Sequence, residues 1–368
     1  MIYLDYAATT PIDKRAIVAM ESCMLEAWQN PSAAYASAGN ARRRLRLARR
    51  SIASMLDAQP NEIVFTSGGT ESNNLALSIA RGKHAVISAV EHASVLQASK
   101  IMDCDVTLIS PDSACRVRPE AVEAAIRADT ALISVQFANN ETGALQPVGE
   151  IGEIARRRRI PFHCDAVQAF GHIPVNVREN KIDLLSVSAH KFYGPRGAGA
   201  LYVRQGIIPP PIISGGGQEF GLRAGTENVP AICGMAAAAE LARDDMAARA
   251  EREDSLMDFF VREICARIPE CAALCGDAAR LPGVRAFLLP GLPSERAIAE
   301  LDVRGIQVSG GAACASRGDG VSHVYRAMGL SEEQARCVIR ISIGRGIARE
   351  DMARAAEAIS QVYRLVTD

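Results

Sequence analysis

From Glu62 to Val203 the chain alternates short apolar runs with amphipathic ones, and this alternation limits the possible folds more than any other feature. The runs at Ile63–Phe65, Ala85–Ser88, Val106–Ile109, Ala131–Val135, Ile160–Phe162, Leu184–Val187 and Ala200–Val203 are strand-like. The segments Glu71–Ala80, Ala93–Met102, Pro119–Arg127 and Val148–Arg158 between them are helical in pattern. Strands apolar throughout are covered on both faces, so the pattern predicts an α/β large domain with a mainly parallel seven-stranded sheet. Ligands of such sheets bind beyond the carboxyl ends of the strands.

A chain of 368 residues exceeds the size at which one core keeps growing, and 48% hydrophobic residues suffice for two. Residues 16–255 are expected to form the large domain, and residues 1–15 with 256–368 a smaller α+β domain. The smaller domain would use strands at Tyr3-Leu4, Val284–Leu289, Ile306–Ser309 and Cys337–Ser342, with helices at Ser294–Val303 and Glu350–Val366. A long Ala-rich helix from Ala231 to about Arg267 precedes it. Near the amino terminus a helix starts around Asp13, and Gly39–Asp57 reads as another. The arginines of that second helix, Arg42 to Arg50, read as a solvated face.

Lys191 stands between strand-like residues and the turn Gly194-Pro195-Arg196-Gly197. On such a turn it is either a surface cation or an amine facing a pocket, where desolvation lowers its pKa and makes it a nucleophile or base. Two upstream stretches favour the pocket. Asp165 and Gln168 follow the apolar run at Ile160–Phe162, where a strand emits a loop. In EIVFTSGGTESNN a strand, a glycine turn and a helix start near Thr70 make an anion cradle. An amine, an acid and a phosphate loop at the same sheet edge suit pyridoxal 5'-phosphate, with the acid on its ring nitrogen.

These stretches carry a resemblance that runs from YLDYAATTP to IRISIGR. In order they are Tyr3 to Pro11, Asn30-Pro31-Ser32, FTSGGTESNN, Glu91-His92, Asn139-Asn140-Glu141, HCDAVQ, SAHKFYGPRG, GGGQE, RAGTEN and SGGAAC. The chain resembles the NifS/IscS cysteine desulfurases, which are fold-type I pyridoxal-phosphate enzymes of the class V aminotransferase kind. The resemblance implies that Lys191 holds the cofactor and shuttles protons, that Asp165 pairs with the ring nitrogen, and that Gln168 bonds the phenolic oxygen. His92 would stack on the ring and relay a proton. Gly69, Thr70, Ser188 and His190 would hold the phosphate, with Thr226 supplied by the other subunit of a homodimer. Arg340, helped by Asn140 and Asn30, would take the substrate carboxylate. Cys314, among small residues that build little core, would attack the sulfur of L-cysteine, leaving a persulfide and alanine.

The implied partner is a sulfur-acceptor protein serving iron–sulfur cluster assembly, tRNA thiolation or DNA phosphorothioation. Another fold-type I enzyme, such as a selenocysteine lyase or small-substrate aminotransferase, is the alternative reading. Two departures stand out: SGGAAC replaces the usual SSGSAC, and Phe220 replaces a frequent Arg after GGGQE.

The remaining composition fits an intracellular enzyme. With 41 basic and 42 acidic residues no global field draws the chain to nucleic acid or membrane. Asp5 interrupts any leader pattern, and no apolar run reaches the ~18 residues of a membrane span, so the expected location is cytoplasmic. Ten cysteines scattered through such a chain are expected to be reduced thiols. Cys271 and Cys275 have no companion His or Cys pair, and no metal is expected.

Overall fold

The computed structural model describes residues 1–276, 278–310 and 321–367. Its central sheet has seven strands, in spatial order Ile63–Thr66, Gly199–Val203, Leu184–Ser188, Phe162–Asp165, Thr130–Ser134, His84–Ser88 and Asp105–Ile109. Only Gly199–Val203 runs against the others. Strands such as HAVIS, LLSVS and GALYV are buried at every position, because helices cover both faces of the sheet. On one face Leu45, Ile52 and Leu56 of helix Gly39–Leu56 pack with Ile151 and Ala155 of helix Val148–Arg158 and with Met235. On the other, Leu75 and Leu77 meet Val95 and Ala98.

One expected strand is displaced. The run Ile160–Phe162 was the expectation, whereas the strand is Phe162–Asp165. Arg159 adopts φ 57° and ends the preceding helix, and the Ile160 N–H still bonds back to the Ala155 carbonyl. His163 and Asp165 look too polar for a buried strand. His163, however, is satisfied by serines of the flanking strands, with Nδ1 2.8 Å from Ser134 Oγ and Nε2 3.1 Å from Ser186 Oγ. Burial pushes its pKa down to about 4, so it is a neutral cross-strand bridge.

A second core gathers Ile2, Leu4, Phe260, Phe287, Ile339 and Ile359. Here Val338–Ser342 pairs antiparallel with Val284–Leu288, and Ile2–Tyr3 pairs parallel with Ile306–Gln307. The expected strand to Ser309 therefore stops two residues early, although Ser309 still bridges to Arg340. The helix Val229–Arg267, about 58 Å long at 1.5 Å per residue, links the cores. Its Ala231–Ala239 segment packs in the first core, and Met257, Phe260 and Ile264 in the second.

The solvated arginine face needs one correction. Arg49 donates from both terminal nitrogens to the buried carboxylate of Glu219, at 2.7 and 2.6 Å, and its guanidinium lies over the rings of Phe65 and Phe220. Phe220, with φ 60°, thus stacks against the Arg49–Glu219 pair. The described cysteines are all free.

Candidate active site

A cavity of about 240 Å³ opens at the carboxyl ends of the sheet strands. Its walls include Ala7, Ala8, Gly69, Thr70, Asn73, His92, Asn140, Asp165, Gln168, Ser188, His190, Lys191 and Arg340, so most of the residues expected at the site meet there.

The glycine turn is shaped by close contact. Gly68 has φ 152°, and a Cβ on Gly69 would lie 2.6 Å from Val167 Cγ2, so only a bare backbone lets the helix Gly69–Leu77 start against the loop after Asp165. Gly69 and Thr70 of that first turn line the cavity with Ser188 and His190, and the N–H groups of a helix start suit a phosphate. Burial, with Lys191 and Arg196 nearby, pushes His190 down to about 4.

Lys191 Nζ donates to the carbonyls of Ala7 at 2.6 Å and Ala8 at 2.9 Å, and His172 Nε2 lies 2.8 Å from the Lys191 carbonyl. Gln168 Nε2 also donates to the Ala7 carbonyl, at 2.9 Å. The amino-terminal segment therefore forms part of the cavity wall. Asp165 accepts from the Val167 N–H at 2.9 Å and from Asn73 Nδ2 at 2.6 Å. His92 caps helix Ala93–Ile101 by accepting the Ser94 N–H on Nδ1. Its pKa is lowered, first by burial, so the ring is neutral at neutral pH.

Arg340, 2% exposed, donates to Asp5 Oδ1 at 2.6 Å and to the Asn140 carbonyl at 2.7 Å, while its buried Nε has no partner among the described residues. The fork is thus anchored by both terminal nitrogens. Asn139 shapes this wall by accepting the N–H groups of Glu141 and Thr142 on Oδ1.

Two expected residues do not reach this cavity within one chain. Asn30 is exposed, and its Oδ1 accepts the N–H of Ser32. Thr226 is exposed and lines a separate cleft with Phe65, Glu219 and Asn228. Cys314 lies outside the described residues. Sequence reasoning missed Asn73, Ser94, Gln136, Asp5 and the Ala7 and Ala8 carbonyls. Asn73 was findable, since it lies four residues after Gly69 and so on the same helix face.

The arrangement fits pyridoxal phosphate on its own chemistry. It offers a helix start for a phosphate, the buried carboxylate of Asp165 on the cavity wall for a ring N–H, and the amine of Lys191 for an aldehyde.

The chain's residues 2–354 match the family model Aminotransferase class-V. It is 41% identical to Cysteine desulfurase IscS of Dictyoglomus turgidum, over 98% of this chain and 94% of that protein. A solved NifS-like protein from Rickettsia africae superposes with a TM-score of 0.91 at 33% identity, covering 99% of each chain. A structure of SspA in complex with cysteine gives 0.83 at 36% identity, over 94% of this chain and 99% of that one. The chain belongs to the NifS/IscS cysteine desulfurase family of class V aminotransferases.

Proposed function

We propose that this chain converts L-cysteine to L-alanine and passes the sulfur, as a persulfide on Cys314, to an acceptor. The observation that carries the reading is the convergence of Lys191, Asp165, His92 and Arg340 on one cavity behind an anion-binding helix start.

The family depends on pyridoxal phosphate, which when bound supplies an aldehyde for amino groups and a ring that withdraws electrons from the substrate α-carbon. Gly69, Thr70, Ser188 and His190 would hold its phosphate, and Asp165 its ring nitrogen. Gln168 would bond its phenolic oxygen, and His92 would face the ring. Lys191, which bonds the Ala7 and Ala8 carbonyls, would take a proton from the α-carbon and return it. Arg340, held by Asp5, aims positive charge at the substrate carboxylate, with Asn140 beside it.

At Cys314 the thiolate attacks the substrate sulfur. The carbon–sulfur bond breaks, a sulfur–sulfur bond forms, and the β-carbon, keeping the bond's electron pair, gains one proton to become the alanine methyl group. The transferred sulfur is oxidised and the β-carbon reduced, so no outside oxidant is needed.

The enzyme would act as a homodimer in the cytoplasm. In support, Val18, Met24, Leu25 and Trp28 leave an apolar face on and just after the first helix, and Thr226 and Asn30 are exposed, available to a second copy. The residue 1–15 segment, through Ile2 and Leu4, would complete a small domain with residues 256–368. The acceptor is a protein thiol or scaffold, with iron–sulfur assembly the first candidate. The reading is tested by incubating the purified chain with L-cysteine and a thiol reductant. Alanine and sulfide should appear in equal amounts, and pyruvate in place of alanine would contradict it.

A further inference from the structure

Asn73 and Ser94 connect the two groups expected to face the cofactor ring, although the sequence reading assigned neither a role. The Asn73 Nδ2 donates to Asp165 Oδ2 at 2.6 Å and to Ser94 Oγ at 2.8 Å. Ser94 Oγ lies 2.7 Å from His92 Nδ1, and the Ser94 backbone N–H donates to the same nitrogen at 3.1 Å. An imidazole nitrogen that accepts a backbone N–H carries no hydrogen itself, so neutral His92 holds its hydrogen on Nε2. Asn73 spends both amide hydrogens on Asp165 and Ser94. The Ser94 hydroxyl hydrogen is then left for His92.

The amide orientation follows from chemistry. Reversed, Asn73 would set an oxygen against the Asp165 carboxylate, acceptor against acceptor. In the observed orientation its Oδ1 is buried and has no partner among the described residues, in a residue 1% exposed. A buried amide serving packing alone is normally satisfied at both ends. Here an acceptor is left unsatisfied while the double donation is kept.

We propose that Asn73, acting through Ser94, is a positioning residue that fixes His92 as the Nε2–H tautomer and ties its orientation to that of Asp165. Its catalytic consequence rests on the functional reading above, but the geometry does not. The titratable groups that act on His92 are Asp165, which favours its protonation, and Lys191 and His323, which oppose it. His323 Nε2 itself lies 2.9 Å from the Glu91 carbonyl, just before His92.

The test is nitrogen NMR of the histidine rings in the full chain, with and without added pyridoxal phosphate, with His92→Gln used to assign the signal. In the parent, His92 should show the Nε2–H tautomer and titrate below ordinary imidazole. Asn73→Ala and Ser94→Ala should each move that midpoint upward, because each weakens the hydroxyl donation to Nδ1. The two residues act in series, so the double variant should move it no further than Ser94→Ala. An Nδ1–H tautomer in the parent overturns the proposal, whether or not the variants fold. So does an unmoved His92 signal in Ser94→Ala, or additive shifts in the double variant. A parent that takes up no pyridoxal phosphate would defeat the functional reading alone, since the ring signals are read without the cofactor as well.

Discussion

The ε-amino group of Lys191 lies 2.6 Å from the carbonyl oxygen of Ala7, so the two ends of the cavity wall meet across 184 positions of sequence. Among its described contacts, replacing Lys191 by Ala removes the hydrogen bonds to the Ala7 and Ala8 carbonyls, worth about 1 kcal/mol each, too little to unfold the chain. Lys191→Ala should therefore melt within a few degrees of the parent in calorimetry. It should emerge colourless from desalting after exposure to pyridoxal phosphate, and form no alanine.

Arg340 tests carboxylate recognition. Lysine in its place keeps the charge but loses the planar fork, and cannot serve both Asp5 and the Asn140 carbonyl while facing a ligand. One lost charge-assisted hydrogen bond of about 1.5–3 kcal/mol predicts a KM for cysteine raised about ten-fold or more in Arg340→Lys. Steady-state kinetics of alanine release measures this. Arg340→Ala should also lose about 2–3 kcal/mol of stability, because Asp5 is left without its cation.

The contact between Gly69 and Val167 makes a steric prediction. The methyl of Gly69→Ala would sit 2.6 Å from Val167 Cγ2 and push the helix start away from the loop after Asp165. Equilibrium dialysis should show pyridoxal phosphate held about ten-fold more weakly, the cost of a misplaced charge-assisted contact or two. Adding Val167→Ala should recover most of the loss.

Glu253 carries a pH signature away from the cavity. Burial is the main cause that raises its pKa from 4.5 to about 7, against the pull of Arg249 and Arg252. Between those values the folded chain keeps a proton that the unfolded chain has lost, so this group's contribution to stability falls as pH rises through the window and is level above about 7. The loss totals about 3 kcal/mol. Urea unfolding across pH 5 to 8 should show Glu253→Gln gaining on the parent as pH rises, with the gap constant above about pH 7. A gap independent of pH would show that Glu253 titrates normally.

Sequence patterning located the sheet because most of its strands carry short apolar runs, and every strand of the central sheet was foreseen within a few residues. It misplaced Phe162–Asp165 because His163 is satisfied only by Ser134 and Ser186 on neighbouring strands, contacts with no local signature. The cavity residues were legible where they sit in contiguous motifs, as with Lys191, Asp165 and His92. Asp5, the Ala7 and Ala8 carbonyls, and Ser94 became visible only in three dimensions, because their roles are set by partners distant in sequence or by hydrogen bonds to the backbone. The role of Phe220 was hidden for the same reason, since Arg49, which lies over its ring, is on a helix far upstream.

The sulfur-transfer account rests most directly on Cys314. The decisive measurement compares alanine release from L-cysteine by the parent and by Cys314→Ala, with each protein's spectrum recorded on adding cysteine. The account predicts that the variant still binds cysteine, seen as a change in the cofactor spectrum, while releasing neither alanine nor sulfide. Alanine release by Cys314→Ala at the parent's rate would contradict it.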